Sequence, residues 1–201
     1  MWVVKLGGSL ACSEDLQGWL RVLAGDSSLV IVPGGGPFAD QVRRMQNQWG
    51  FDESTAHQMA LLAMEQFGTM FCALQPGLTA AVSVEEIDDV QQQRGETPVW
   101  MPSLMVMPEP DIAHSWEVTS DALSLWLSER LGADALVLVK SISLTGINPD
   151  VERLVEGGVI DVEFSLYFQS NGIPAWLMSA SDHAHFGALR NGEMVTASMI
   201  T

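Results

Sequence analysis

The sequence predicts an α/β fold built on buried parallel strands, and three observations lead there. Trp2 to Lys5 and Leu29 to Val32 are short apolar runs that end directly in glycines, the pattern of core strands running into loops. Between them Leu16, Trp19, Leu20 and Leu23 recur at helical spacing, so the opening reads strand, loop, helix, strand. At 201 residues and 47% hydrophobic, the chain has enough apolar material for one substantial core, and a single domain over 1–201 is expected.

The remaining elements follow in order. Pro37 to Gln48 reads as a helix, and Glu53 to Leu74, rich in Met, Leu and Ala, as a longer and largely buried one. The glutamine-rich stretch Glu85 to Thr97 is expected to be a solvated helix or a lid. Val99 to Val106 is expected to be extended, with Pro102, Pro108 and Pro110 breaking regular structure around it. Thr119 suits the N-cap of a helix from Ser120 to Leu131, and Ala135 to Lys140 reads as a buried strand entered through a turn at Gly132. The tail is expected to hold a helix near Val159 to Gln169, a strand at Ala175 to Met178, a short helix at His183 to Arg190 and a last strand at Met194 to Ile200.

Composition narrows the function classes. A formal charge of −16, from 9 basic and 25 acidic side chains, repels nucleic acid and anionic membrane, so an anionic ligand needs local lysines, backbone N–H groups and Mg²⁺ to bind. No apolar run reaches the roughly 18 residues of a membrane span, and MWVVKLGG lacks a basic signal region, so the protein is expected to be soluble and cytoplasmic. Cys12 and Cys72 form no C-x-x-C pair and are expected to be buried thiols. His183 and His185 point to different faces of a helix with no third ligand near in sequence, so no zinc site is expected.

The chemistry concentrates in two glycine loops, Lys5-Leu6-Gly7-Gly8-Ser9 and Pro33-Gly34-Gly35-Gly36-Pro37, each closing a strand and preceding a helix. Glycines there let backbone N–H groups approach phosphate oxygens, and a helix N-terminus adds a favourable dipole. Neither loop is a Walker A or a G-x-G-x-x-G motif. One such loop alone is as readily a tight turn; two in tandem favour phosphate binding. Lys5 places a cation at the carboxyl edge of the sheet, where open α/β folds bind ligands.

VVKLGGSL, VPGGGPFAD and VTSDALS, in that order and spacing, resemble the amino acid kinase superfamily, and the resemblance spans essentially the whole chain. It implies a three-layer α/β/α sandwich with a mainly parallel central sheet, ATP and Mg²⁺ as phosphoryl donor, a small anionic acceptor and a homo-oligomer, a dimer in many members. By position, Lys5 would contact the transferring phosphoryl group, and Gly7, Gly8 and Ser9 would wrap ATP phosphates, with Gly146 in the nucleotide-side segment. Gly34, Gly35 and Gly36 would face the acceptor, and Asp121 would orient the catalytic lysines. The plain alternative for Asp121 is an acid favoured by the dipole of a first helical turn.

Two departures from the family stand out. Many members carry a second catalytic lysine just after a glycine in the region of Gly157-Gly158-Val159-Ile160-Asp161, where this chain has an acid. Lys140, ending a strand at the sheet edge shared with Lys5, is the natural substitute. The nucleotide-side segment from Lys140 to Ile147 keeps Gly146 and lacks the family's usual acids.

Ala56 to Gln66 and Trp116 to Asp121 resemble the small kinases of methanofuran biosynthesis, which convert an aminomethylfuran methyl phosphate to its diphosphate. That resemblance implies a phosphomonoester acceptor, with His57 as a substrate contact; a histidine satisfied in the core is the plainer reading. Trp116 would cover a flat ring or staple the next helix. An acyl-phosphate-forming kinase and a non-catalytic nucleotide or oxoanion binder stay open as alternatives.

Overall fold

The computed structural model describes residues 1–144, 149–193 and 195–201. The elements run β1 (Trp2–Leu6), α1 (Asp15–Leu23), β2 (Leu29–Pro33), α2 (Gly36–Trp49), α3 (Glu53–Leu74), β3 (Leu78–Ala81), α4 (Val84–Asp89), β4 (Thr97–Trp100), α5 (Ser103–Val106) and α6 (Ser120–Leu131). They continue with β5 (Ala135–Lys140), α7 (Val151–Glu156), α8 (Val162–Ser170), β6 (Ala175–Ser179), α9 (Phe186–Arg190) and β7 (Ser198–Met199). Among the described residues the strands form one sheet in the order β3-β4-β2-β1-β5-β6-β7, parallel except for β7.

Both faces of the sheet are covered, which is why β1, β2 and β5 read as unbroken apolar runs. Val3, Val30, Leu136 and Leu138 pack on one face with α6 and Phe164 of α8. Val4, Ile31, Val137 and Val139 pack on the other with α1, Phe67 and Phe71 of α3, and Phe186 of α9. The two-residue strand period therefore sends Lys5 and Lys140 to the α6 face, alongside Val3 and Leu138.

The chain leaves β1 toward β2 on one side, and β5 later joins β1 on the other. The carboxyl ends of β1 and β5 thus flank a topological switch point, the place where open α/β sheets form a ligand crevice.

Several expected elements differ. Val99 to Val106 is a strand only to Trp100 and then the short helix α5, because Pro102 removes a ladder donor and opens a helical turn. Of the two readings for Glu85 to Thr97 the solvated helix holds, as α4 continues in a wide turn over Val90–Arg94, with Ile87 and Val90 buried and Gln91 Nε2 donating to the Leu29 carbonyl at 3.0 Å. Strand β3 and helix α7 were not expected, and the last strand shrinks to Ser198–Met199. Cys12 is exposed and not buried, while burial pushes the Cys72 thiol up to about 11. Gly146, and Met194 at the start of the expected last strand, lie outside the described residues.

Candidate active site

Lys5 ends β1, Lys140 ends β5, and Asp121 sits in the first turn of α6 above both. Asp121 Oδ1 lies 2.7 Å from Lys5 Nζ, and Oδ2 pairs with Lys140 Nζ. The Lys5 and Asp121 side chains are 5% and 4% exposed and Lys140 is 17% exposed, so one carboxylate holds two cations where water barely reaches. The Lys5 contact is an ion pair off hydrogen-bond geometry, leaving Oδ1 with a charge partner and no directed donor.

Burial drives the Lys5 pKa down; Asp121 opposes this, Lys140 adds to it, and the net is below the usual lysine value. Burial pushes Asp121 the other way, but the two ammonium groups overcome it and hold the carboxyl below its usual range. Among the three groups one positive charge is left over, which suits an anion at the sheet edge.

Asp161, the acid that closes the segment Gly157 to Asp161, braces this cluster. It accepts from the Thr119 hydroxyl, from the Ala122 amide of α6 at 3.3 Å and from the Phe164 amide of α8. One carboxylate thereby caps two helix N-termini and fixes the turn that carries Asp121. Burial and the charge of Asp121 push the Asp161 pKa up.

The glycine loops divide into two kinds of position. A Cβ on Gly8 would stand 2.3 Å from the Gly36 nitrogen, and one on Gly34 would stand 2.4 Å from the Gly8 nitrogen. The loops touch backbone to backbone, tied also by Gly34 N–H to Leu6 C=O at 2.8 Å. Gly36 has φ +54°, which a side chain strains to adopt. The Gly7 amide donates to Val139 C=O at 3.2 Å, so it bridges β1 to β5 and is not free for a ligand. A Cβ there would lie 3.6 Å from Lys5 Nζ, which places that ammonium directly behind the loop.

Two cavities flank this wall. The first, of about 390 Å³, lies between α2, α3 and the segment before α6, and includes Gly8, Gly35, Gly36, His57 and Trp116 in its lining. The second, about 770 Å³, is lined by serines from the segments after β1 and β5 and from β6 and β7, together with Asp15 and Asp182. Ser9 lines both, and its hydroxyl donates to Ser141 Oγ at 2.9 Å. Among the described residues no group of three His, Cys, Asp or Glu side chains forms a metal cage, and Asp121 faces two lysines.

The structure brings Lys5, Asp121 and Lys140 together, sets Gly8, Ser9, Gly35, Gly36 and His57 on cavity walls, and uses Gly7 and Gly34 to join loops. Trp116 is held by α2: the Arg43 guanidinium lies 4.3 Å from its ring centroid, and its N–H donates to Gln46 at 2.6 Å. Sequence reasoning missed Asp40, Arg43 and Asp161. The first two share one face of α2 just past the glycines, a spacing that was readable; Asp161 was noticed only for not being lysine.

Residues 1–156 match the family model described as the amino acid kinase family. The [5-(aminomethyl)furan-3-yl]methyl phosphate kinase of Methanocaldococcus jannaschii is 27% identical over 149 residues, 71% of this chain and 66% of that protein, so the match spans just under two thirds of the relative. Uridylate kinase from Archaeoglobus fulgidus superimposes with a TM-score of 0.73 at 16% identity, over 96% of this chain and 97% of that one. UMP kinase from Ureaplasma parvum does so with a TM-score of 0.68 at 10% identity, over 100% and 98%. The likeness to both shows the fold, and the match over most of its length shows that the chain belongs to the amino acid kinase family.

Proposed function

We propose that this phosphotransferase moves the γ-phosphoryl group of Mg–ATP onto a phosphomonoester, an aminomethylfuran methyl phosphate, giving the diphosphate and ADP. The observation that carries the reading is the Lys5–Asp121–Lys140 cluster at the sheet edge, with two cavities that meet at Ser9 next to it. The larger, serine-lined cavity takes the nucleotide and the smaller one the acceptor. Their common edge at Ser9 is where the γ-phosphorus and the attacking oxygen meet.

An acceptor phosphate oxygen attacks the γ-phosphorus; its new P–O bond forms as the bond to the β–γ bridging oxygen breaks, and that electron pair leaves on ADP. The acceptor oxygen is already ionised near neutral pH, so no general base is required. Charge spread over the equatorial oxygens is met by Lys5 and Lys140, which Asp121 keeps in place without competing for the phosphoryl group. Magnesium arrives on the phosphates of ATP as part of that substrate. On this reading Lys140 supplies the second cation that the segment Gly157 to Asp161 lacks.

The M. jannaschii relative supports the furan phosphate as acceptor, as do the acceptor cavity's apolar Ala60, Leu61, Met64 and Leu123, which suit a small ring. The test is ADP release from Mg–ATP with the furan phosphate, UMP, isopentenyl phosphate, acetylglutamate and carbamate. Selective turnover of the furan phosphate is expected. Turnover of a carboxylate acceptor would replace the reading with an acyl-phosphate kinase, and ATP binding without any turnover would replace it with a nucleotide-binding protein.

A further inference from the structure

Helices α2 and α3 are joined by only three residues, 50–52, pack side by side and are tied by Gln46 Nε2 to Glu53 Oε1 at 3.3 Å, so they run antiparallel. Residues early in α2 therefore face residues late in α3. Gly36 and Met64 belong to the glycine end of the acceptor cavity, and Arg43 and His57 to the opposite end, with Asp40 about one helical turn, ~6 Å, past Gly36.

The two ends differ chemically. At the glycine end the lysines stand ready for negative charge. At the far end the unused hydrogen-bonding capacity is that of acceptors. His57 is 4% exposed, and its Nε2 is buried without a partner. The Ser115 backbone lies against the ring, and Nε2 is the buried nitrogen left without a partner.

The ring is kept neutral by burial and by the His114 ring stacked on it, centroids 4.9 Å apart and planes 9° apart. Asp40, 58% exposed, meets Arg43 through one oxygen at 3.3 Å, a weak surface pair within one helix that leaves the other oxygen open. Arg43, the cation among the described residues of this wall, is already laid over Trp116.

We infer that Asp40 and His57 form a subsite for a protonated amine, so that this cavity selects acceptors carrying an ammonium group at the end opposite the phosphate. The inference rests on the phosphomonoester reading above for where the phosphate lies. It assigns specificity to two side chains that are remote from the lysines: the ammonium donates to the open Asp40 oxygen and to His57 Nε2. Neither residue takes part in phosphoryl transfer.

The experiment uses the full chain, Mg–ATP and four acceptors: the aminomethylfuran methyl phosphate and its analogues with hydroxymethyl, methyl or carboxyl in place of aminomethyl. Expected is a kcat/KM at least tenfold higher for the amine than for the methyl analogue, with the loss residing mainly in KM. D40N and H57Q should collapse that ratio by lowering kcat/KM for the amine acceptor. Equal use of amine and methyl acceptors, a preference for the carboxyl analogue through Arg43, or variants that weaken all acceptors alike would overturn the subsite. If no acceptor is turned over, the transfer reading fails by itself, and calorimetric binding of the amine and methyl compounds to wild type and D40N still decides the subsite: equal affinities refute it.

Discussion

Replacing Asp121 with Asn keeps the shape of the side chain and removes the charge that two lysines share. Lys5 has nowhere to go, since its side chain is 5% exposed, whereas Lys140 at 17% can turn toward water. Breaking a buried ion pair from one side costs about 3–5 kcal/mol, and the freedom of Lys140 puts the expectation near the lower figure, about 3 kcal/mol at pH 7. The sign with pH follows from Lys5, whose pKa is already below the usual 10.5, chiefly by burial and against the pull of Asp121. Without that pull it falls further, and the folded state binds fewer protons than the unfolded one across a wider interval. Stability of the variant should therefore rise with pH from neutrality toward 10.5, more steeply than wild type by up to about 1.4 kcal/mol per unit. Urea unfolding followed by the fluorescence of the seven tryptophans, from pH 6 to 9.5, measures it. A variant as stable as wild type at pH 7, with a parallel pH dependence, would show that the carboxylate is not the counter-ion described.

Lys140→Ala leaves Asp121 paired with Lys5, so the fold should persist while kcat falls about 10²–10³-fold, the loss typical of removing one stabilising donor; a kcat within a few-fold of wild type denies it the role of second cation. Gly34→Ala drives a Cβ to 2.4 Å from the Gly8 nitrogen, against backbone that cannot yield, and should cost more than about 2 kcal/mol. Gly18→Ala meets only the His183 ring, which can swing, and should cost less; parallel denaturation of the two variants compares them. Asp161→Ala removes the acceptor of three donors and the cap of two helices, an expected loss of about 2–3 kcal/mol, part of which Asp161→Asn should recover through its remaining carbonyl oxygen; thermal unfolding of both reads the difference.

Much of this was legible in the sequence because it depended on local periodicity. The period of two puts Lys5 on the face of Val3 and Lys140 on that of Leu138, and the β1–β5 register makes these one face. Thr119 and Gly132 marked both ends of α6, where the structure finds a hydroxyl cap and a left-handed glycine. Strand β3 escaped because Leu-Thr-Ala-Ala has too weak a pattern to register before β4 pairs with it. The last strand was overread because a polar, alternating tail has edge-strand character without a partner to extend it. The bracing by Asp161 was out of reach, since it joins Thr119 and Ala122 to a residue some forty positions on through side-chain contacts that no spacing rule encodes.

The lysines are mounted on adjacent, hydrogen-bonded strands, with Lys5 in register with Leu138 two positions before Lys140, and their counter-ion is mounted on a capped helix. None of the three depends on a loop for its position. The separation of the two cations is consequently a property of sheet spacing itself, preorganised before either substrate arrives and insensitive to changes in the walls that choose the acceptor. On the proposed reading, substitutions on α2 and α3 would alter the choice of acceptor while the spacing of the two lysines stays fixed, because the two belong to different layers of the same sandwich.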